Sequence, residues 1–180
     1  MIKSLPSMKP IPVTQLLIRP YSLWENQWLL LTSGDFSSGQ FNCMTVAWGS
    51  LGQIWGRPFA QIVVRPQRYT YQFTEKFPTF TLCAFPKTFK QALNYLGNHS
   101  GRDSDKLSAA GLTPVAASSV AAPVYAEAEL VLECRKIYWQ DIDPSHFTDQ
   151  ELDRHYPEKD YHRSYFGEIL AVFGTKPYLA

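Results

Sequence analysis

Short runs of apolar, β-branched and aromatic residues, separated by glycine and proline, recur along the sequence and limit it to a small set of folds. Aromatic residues make up 14% of the chain, and many fall in these runs rather than at helical spacing. The runs that predict strands are residues 28–32, 44–51, 54–64, 80–85, 126–139 and 166–173. Several short strands with few helices between them are typical of antiparallel barrels, so the pattern predicts a mainly β (α+β) fold, built as a closed or split barrel.

Short helices are predicted at three places between these strands. Residues 67–77 follow Pro66, which is tolerated at or near the first helical turn because the N–H that it lacks would be unpaired there. Residues 88–97 carry apolar side chains at i, i+3, i+4 and i+7, namely Phe89, Ala92, Leu93 and Leu96. Residues 104–110 end at Gly111, a common residue just past a helix C-terminus. Helices this short are expected to cap a barrel rather than build a bundle.

Turn signals and prolines predict the connections. Gly52-Gln53 is the predicted hairpin turn between the second and third strands. A helical turn is expected around residues 148–152, with Thr148 as its N-cap. Four prolines in residues 1–23 predict an extended arm, interrupted by a short strand around residues 13–18 and able to wrap a partner subunit.

Composition and charge argue against several functional classes. With 180 residues, 45% apolar and 18% charged, the chain is long enough to bury a core, and we expect one domain spanning residues 1–180. A net charge of +1 gives no electrostatic basis for binding nucleic acid or an anionic membrane. Cys43, Cys83 and Cys134 are too widely spaced for a zinc knuckle or a disulfide framework, so free thiols are expected. The N-terminal prolines break any apolar run, so neither a signal sequence nor a membrane span is expected and the cytoplasm is the expected location.

Residues 42–49, Asn-Cys-Met-Thr-Val-Ala-Trp-Gly, are the first candidate site. Small and polar side chains are interleaved there with apolar ones, and Gly39 and Gly49 flank the segment, so a flat ligand can approach main-chain donors. Flavins need that arrangement, because the ring's O2, N3, O4 and N5 bind main-chain and amide groups while its faces need apolar contact. On these residues alone, an ordinary core strand is the simpler interpretation.

Residues 65–70 carry the chemistry of anion binding. Arg65, Arg68, Tyr69 and Thr70 place two guanidinium groups and two hydroxyls at the start of a predicted helix. Unpaired N–H groups and the helix dipole favour a phosphate there, and arginine adds bidentate, charge-assisted hydrogen bonds. A solvated helix cap with surface arginines explains the pattern equally well.

Residues 100–106 form a polar turn that brings Arg102 and Lys106 before a short helix. Such a turn suits a second phosphate or ribityl clamp. Taken alone it is better explained as a surface loop in which Asp103 or Ser104 caps the following helix.

His162 lies among aromatic residues that lead into the last predicted strand. A neutral imidazole there is able to donate to a phosphate or face a substrate, although such a histidine is more often a satisfied surface or core residue. The four histidines show no metal-ligand spacing, and no nucleophile elbow, P-loop or Gly-x-Gly-x-x-Gly segment occurs in the sequence. Hydrolase, nucleoside triphosphatase and Rossmann-type functions are therefore disfavoured, and no metal is expected.

Taken together in chain order, these four segments resemble the flavin reductase-like family of FMN-binding split β-barrels, particularly its flavoredoxin-like branch. The resemblance covers roughly residues 25–175 and rests on residues 42–49, 64–70, 100–107, 110–113, 132–134, 162 and 167–169. It implies an FMN-binding split β-barrel with short peripheral helices. It also implies a homodimer with two FMN sites at the subunit interface.

The resemblance further implies which residues hold the cofactor. The flavin would lie along residues 42–48, the phosphate would meet the segment 65–70, the turn 100–106 would close over the phosphate or ribityl chain, and Trp48 would bracket the ring or phosphate tail. The expected FMN-binding residues are Asn42, Met44, Thr45, Ala47, Trp48, Arg65, Arg68, Tyr69, Thr70, Ser100, Gly101, Arg102, Lys106 and His162.

With FMN bound, the expected activity is an NAD(P)H-dependent oxidoreductase. Flavin N5 accepts a hydride from NADH or NADPH and passes electrons to a second flavin, a metal centre or another small-molecule or protein acceptor, so no catalytic amino acid is expected. Main-chain donors near residues 44–47 are expected to stabilise the reduced ring. One alternative is an FMN-carrying electron-transfer protein without its own NAD(P)H turnover. A third interpretation is a barrel that binds no flavin and serves as an assembly module.

Overall fold

The computed structural model describes residues 8–180, which fold around one eight-stranded antiparallel sheet and a separate two-stranded ribbon. The ribbon pairs β7 with β8, and the other eight strands form the sheet. The strands are β1 (Lys9–Pro10), β2 (Leu29–Asp35), β3 (Gln40–Val46), β4 (Gly49–Ile54), β5 (Arg57–Val64), β6 (Thr79–Ala84), β7 (Pro114–Val115), β8 (Val124–Tyr125), β9 (Leu130–Asp141) and β10 (Arg163–Gly174).

The order of strands in the sheet makes it a split barrel. The order is β3-β2-β6-β9-β10-β5-β4, and β1 pairs with the far end of β10. The two terminal strands, β3 and β4, are consecutive in the chain and joined only by Ala47 and Trp48. Because this link spans at most about 11 Å, the sheet must curl until its ends meet. Within residues 8–180, β3 and β4 do not pair with each other, so the barrel is open at this point and the predicted split β-barrel is confirmed.

Alternation along the central strands divides the apolar residues between two cores. Leu31, Leu82 and Leu132 lie opposite one another on β2, β6 and β9 and belong to the core inside the barrel. Their neighbours on the same strands point to the other face and pack under the peripheral helices; they are Leu30, Cys83 and Val131. A two-sided apolar environment explains why these strands are almost continuously hydrophobic.

The helices are short and lie outside the barrel, as the sequence predicts. They are α1 (Tyr69–Lys76), α2 (Lys90–Asn98) and α3 (Lys106–Ala110). Single helical turns occur at Val13–Gln15, Pro20–Ser22, Leu23–Gln27, Lys87–Phe89, Pro144–His146, Gln150–His155 and Lys176–Tyr178. Among residues 8–180, no helix has the length and apolarity to cross a membrane.

The N-terminal segment differs from the predicted one. The strand expected around residues 13–18 is a 3₁₀ turn, Val13–Gln15, and the strand that forms is β1. Proline has no N–H to donate to a ladder, and prolines at positions 10 and 12 end β1 after two residues. The Leu17 N–H donates to the Tyr178 carbonyl at 3.1 Å, so this segment packs on its own barrel. Residues 1–7 of the predicted arm lie outside the described residues.

The predicted hairpin turn at Gly52-Gln53 is wrong, because β4 continues through both residues. The turn is Trp55-Gly56, with φ of 50° and 71°. Positive φ at both central residues gives the backbone twist that matches two paired strands. The predicted strand 44–51 is likewise two strands, β3 and β4, which bend apart at residues 47–48.

Two predicted helix caps are also wrong in position. The Asp105 carboxylate, rather than Asp103 or Ser104, accepts the third N–H of α3 at 3.2 Å. Asp149, rather than Thr148, accepts from the second N–H of its 3₁₀ turn at 3.0 Å. In both cases an aspartate directly before the first helical residue reaches the unpaired N–H groups better than a residue further back.

Candidate functional site

Two adjoining cavities lie along β3 on the side where the barrel is split. The cationic pocket, of about 110 Å³, contains Arg68, Arg102 and Lys106. The tryptophan cleft, of about 230 Å³, follows residues 44–48 and contains Trp48 and His162. Met44 lines both cavities, so they form one continuous depression. Because β3 is a terminal strand of the sheet formed by residues 8–180, the depression lies at an edge whose outer main-chain groups make no ladder bonds.

Lys106 is the most deeply buried cation of the cationic pocket, with only 4% of the residue exposed. Its ammonium group donates to the carbonyls of Leu96 at 3.3 Å and His99 at 3.1 Å. Burial lowers its pKa, and the nearby Arg68 charge lowers it further. An ammonium has three N–H donors, so one donor and the whole charge remain for a ligand.

The other two cations of the pocket also bind main-chain carbonyls rather than acids. Arg68 donates to the Gly97 carbonyl, and burial followed by repulsion from Arg65 lowers its pKa. Arg102 donates to the Gln67 carbonyl at 3.3 Å and lies 4.9 Å from the centre of the Tyr69 ring.

Within the described part of the chain, no carboxylate pairs with these three cations. Among residues 8–180, no carboxylate lies within 4.0 Å of Arg68, Arg102 or Lys106, whereas Arg57, Arg65, Arg135 and Arg163 all have acidic partners. Lys106 is buried and Arg68 half-buried, and clustered cations without counter-charges are costly unless an anion is bound, so the pocket has the chemistry of a phosphate site.

A short hydrogen-bonded chain holds the strand against the helix at this pocket. The Asn42 amide donates to the Thr70 hydroxyl at 2.7 Å, and that hydroxyl donates to the Cys43 carbonyl at 3.1 Å. Both side chains are buried, so their first role is to fix β3 to the start of α1. The turn after α2 approaches so closely that a Cβ at Gly101 would overlap the side-chain amide oxygen of Asn42, which explains the glycine.

Trp48 and a neutral histidine, His162, line the tryptophan cleft and contact further aromatic side chains. Trp48 is 47% exposed, and its ring lies 5.3 Å from His162 and 5.5 Å from His155. The Tyr156 hydroxyl lies 2.8 Å from His162 Nδ1. Burial, and then the charge of Arg65, lower the pKa of His162 to about 4. The imidazole is therefore uncharged at neutral pH, and one ring nitrogen is fixed by Tyr156.

Arg65 lies in the tryptophan cleft rather than in the cationic pocket. Its guanidinium pairs with Asp160 at 3.3 Å and donates to the His155 carbonyl at 2.6 Å. Its charge is thus already balanced. Arg65 and Arg68 therefore line different cavities, although the resemblance implied that both arginines meet one phosphate.

The remaining predicted residues divide between the same regions. Tyr69, Thr70 and Ser100 line the cationic pocket, while Ala47 lines the cleft. The Thr45 hydroxyl donates to the Leu93 carbonyl at 2.5 Å, so it ties β3 to α2. Gly101 lines a third cavity, an open groove beside the aromatic rings of α1.

Sequence reasoning missed the segment that contacts Trp48, His162 and Arg65. His155, Tyr156 and Asp160 follow the helical turn predicted around residues 148–152 and were assigned no role, yet each contacts a predicted site residue. The preceding turn Gln150–His155 and the positive φ of Lys159, 55°, bring them back over the barrel. The cluster His155-Tyr156 next to His162 is the one signal that the sequence offered.

Solved structures show which class of fold this is. The FMN-binding domain of a flavin reductase-like enzyme from Shewanella baltica superposes with a TM-score of 0.67 and 17% identity, over 93% of this chain and 76% of that one. Flavoredoxin of Desulfovibrio vulgaris (Miyazaki F) gives 0.65 and 23%, over 86% and 73%. The NADH:FAD oxidoreductase of Streptomyces globisporus gives 0.60 and 18%, over 81% and 74%. At these identities the likeness establishes the split-barrel fold.

The family follows from the sequence comparison. The model of the flavin reductase like domain matches residues 25–172, which is most of the chain. The chain therefore belongs to the flavin reductase-like domain family, as the resemblance implied. Comparison with curated proteins gives no match.

Proposed function

We propose that this chain is an FMN-binding flavoprotein that acts as an NAD(P)H-dependent oxidoreductase and passes electrons to a flavin, a metal centre or another acceptor. The observation that carries the proposal is the cationic pocket, in which Arg68, Arg102 and Lys106 lack acidic partners among residues 8–180. A phosphate that ends a largely uncharged ligand supplies the missing negative charge.

The residues present fit the two ends of FMN. Lys106 and the two arginines suit its phosphate, and Gly101 leaves room for the turn that covers that pocket. The tryptophan cleft offers Met44, Trp48 and main-chain groups of β3 to a planar ring. Thr70 and Asn42 act by holding the strand in place, since they are hydrogen-bonded to each other.

FMN, when bound, supplies the redox chemistry, because its ring accepts a hydride and releases electrons. The chain positions and shields the ring. Trp48 covers one side of the cleft, and His162 presents an uncharged imidazole that Tyr156 orients. A neutral histidine adds no positive charge to the ring environment and is able to donate or accept one hydrogen bond there.

The decisive experiment is the absorption spectrum of the purified protein, followed by FMN titration. We expect a yellow protein, or a colourless one that takes up added FMN. Arg68→Ala should weaken FMN binding by about 10- to 150-fold, since a hydrogen bond to a charged group contributes about 1.5–3 kcal/mol. Arg19→Ala, which changes an exposed arginine outside both cavities, is the matched control. A protein that binds no FMN would refute the proposal and leave the assembly-module interpretation.

Anaerobic mixing with NADH and with NADPH tests the turnover. We expect bleaching of the flavin band by at least one of the two nucleotides. Reduction by dithionite or a partner protein alone would instead identify an FMN-carrying electron-transfer protein.

A homodimer with FMN at the subunit interface is the second part of the proposal. The dimer is supported by a partly exposed aromatic surface in which Trp55, Tyr138, Phe166 and Phe59 follow one another in that order, with successive ring centres 5.4–5.7 Å apart. Trp55 is 62% exposed and Tyr138 42%. Sedimentation velocity should give a dimer that Trp55→Ala weakens, and a monomeric parent protein would contradict this part. The cytoplasmic location expected from the sequence stays a prediction.

A further inference from the structure

A fourth cavity, the tyrosine pocket, adjoins the tryptophan cleft at Ala47 and Trp48. Its volume is about 610 Å³. The residues that line the tyrosine pocket but not the cleft are Tyr21, Trp24, Glu25 and Gly49. Cavities of about 300–1,000 Å³ are the usual size of small-molecule sites. The pocket is therefore large enough for a second ligand beside the ring proposed for the cleft.

One wall of the pocket belongs to the segment 20–28, whose backbone is unusual. Leu23–Gln27 is a π-helical turn, closed by the Trp28 N–H, which donates to the Leu23 carbonyl at 2.9 Å. Trp28 then has a φ of 65° and a ψ of 161°, a conformation that only glycine adopts readily. π turns and such backbone angles occur most often at functional sites.

Side-chain contacts hold this segment on the barrel. The Gln27 amide donates to the Glu129 carboxylate at 2.6 Å, and the Lys90 ammonium donates to the Asn26 carbonyl. The wall is therefore formed before any ligand arrives, and binding does not have to order it.

Two aromatic rings of the pocket are open to a ligand. Tyr21 is 87% exposed, the largest value among the large apolar side chains of residues 8–180, and Trp48 is 47% exposed. Trp24 is buried instead, and a Cβ at Gly49 would lie 2.5 Å from its ring, so the glycine lets this indole pack on the start of β4. Exposed rings beside a cavity offer flat apolar faces to a planar ligand.

Glu25 gives the tyrosine pocket a negative charge. Across residues 8–180, no cationic side chain lies within 4.0 Å of its carboxylate, and no basic residue lines the pocket. Arg65 in the neighbouring cleft already pairs with Asp160. An unpaired carboxylate next to tyrosine and tryptophan faces, which are themselves electron-rich, attracts an organic cation.

This charge decides which substrate fits. A nicotinamide coenzyme carries several phosphates, and in the described part of the chain the pocket has no basic group to meet them. A flat cation without phosphates is complementary, because its ring can lie on Trp48 while its charge stays near Glu25.

We propose that the tyrosine pocket binds the electron acceptor and selects a planar, positively charged heteroaromatic ring. This inference rests on the proposed function, because the electrons reach the acceptor from the cofactor site in the cleft. In the net reaction, a C–H bond of the dihydronicotinamide breaks and its hydride forms a C–H or N–H bond on the acceptor. The nicotinamide becomes a cation, the acceptor becomes neutral, and no proton is released. The neutral product is no longer attracted to Glu25, which favours its release.

Fluorescence titration of flavin-free protein with N-methylacridinium and with acridine tests the binding. The two compounds share one ring shape, and at mildly alkaline pH only the first is charged. We expect the cation to bind about tenfold more tightly. Glu25→Gln should bring the two dissociation constants within about twofold and leave that of acridine unchanged, which also shows that the variant folds. Glu158→Gln, at an exposed glutamate outside the pocket, should change neither constant.

Salt and the tyrosine ring give two further readouts of binding. Added salt should reduce the preference for the cation, because an exposed charge is screened. Tyr21→Ala should weaken the binding of both compounds about fivefold, whereas Tyr21→Phe, which keeps the ring, should leave it unchanged.

Turnover tests the role of the ligand as acceptor. In FMN-loaded protein with NADH, and after subtraction of the direct reaction, Glu25→Gln should raise the KM for N-methylacridinium about tenfold and leave kcat within about twofold. Binding of N-methylacridinium without its reduction would overturn the acceptor role.

Equal affinity for the two compounds, or a preference that persists in Glu25→Gln, would overturn the proposal while leaving FMN binding intact. If neither compound binds and Tyr21→Ala converts a dimer to a monomer, the pocket is a contact between two copies of the chain and the proposal is wrong. Failure of the protein to bind FMN would overturn the proposed function and, with it, the acceptor role.

Discussion

Replacement of Lys106 by methionine tests whether the charge of this residue binds a ligand or stabilises the fold. The substitution keeps the length of the side chain and removes the charge of a residue that is 4% exposed and has no acidic partner among residues 8–180. In flavin-free protein, two effects oppose each other. The carbonyls of Leu96 and His99 lose their donor, but the buried charge disappears too. We therefore expect the free energy of unfolding to change by no more than about 1 kcal/mol.

FMN binding should respond far more strongly to the same change. Loss of one charge-assisted hydrogen bond to the phosphate costs about 1.5–3 kcal/mol, which raises the dissociation constant about 10- to 150-fold. The stabilisation that saturating FMN gives to the folded protein should fall by the same amount, because a ligand that binds only the folded state stabilises it in proportion to its affinity.

The assay is a flavin fluorescence titration at fixed ionic strength, paired with urea unfolding with and without FMN. Lys87→Met, at an exposed lysine on the turn before α2, is the matched control and should change neither quantity. The reasoning is refuted if Lys106→Met leaves the FMN dissociation constant within twofold of the parent value. It is equally refuted if the flavin-free variant loses several kcal/mol of stability, because Lys106 would then hold the fold rather than the ligand.

Three further predictions concern His162, Gly101 and Cys43. The pKa of His162 is about 4 in the folded protein against 6.5 ordinarily, so the unfolded state binds more protons. The contribution of His162 to the free energy of unfolding is therefore fully present above about pH 6.5 and is lost as the pH falls toward 4, by up to about 3 kcal/mol. In urea unfolding, His162→Gln should flatten this pH dependence. An unchanged pH profile in the variant would contradict the assignment. Gly101→Ala overlaps the Asn42 side chain and should weaken FMN binding at least fivefold in the fluorescence titration, whereas an unchanged affinity would show that the turn shifts freely. Burial raises the pKa of the Cys43 thiol to about 11, so it should react with a disulfide reagent only on unfolding, and rapid labelling of folded protein would show that the strand opens.

Local chemistry explains what the sequence predicted correctly. Five of the six predicted barrel strands and the three predicted helices occur within a few residues of their expected positions, because hydrophobic periodicity, proline and glycine act over a few neighbouring residues. Gly111 ends α3 with a φ of 68°, as expected of a glycine after a helix.

The errors arose where contacts distant in sequence decide the local conformation. Gly52 suggested a turn, yet pairing along the whole of β4 and β5 moved the turn to Trp55-Gly56. Trp55 keeps a positive φ there and packs against Tyr138, 83 positions later in the chain. The register set by the pairing of β4 with β5, together with the contact to Tyr138, outweighs the tendency of Gly52 to form a turn.

For the candidate site, too, some features were predicted from the sequence and others depend on the tertiary structure. Residue types and their order by themselves predicted a strand for a planar ring and two cationic segments for an anion, because such predictions depend on which groups a side chain bears. Only the tertiary structure decided how they combine. It joined Arg68, Arg102 and Lys106 without an acid, moved Arg65 to Asp160 in the neighbouring cleft, and turned the rings of α1 toward an open groove. The balance of charge and the burial of each group are sums over the whole fold, and no segment contains them alone.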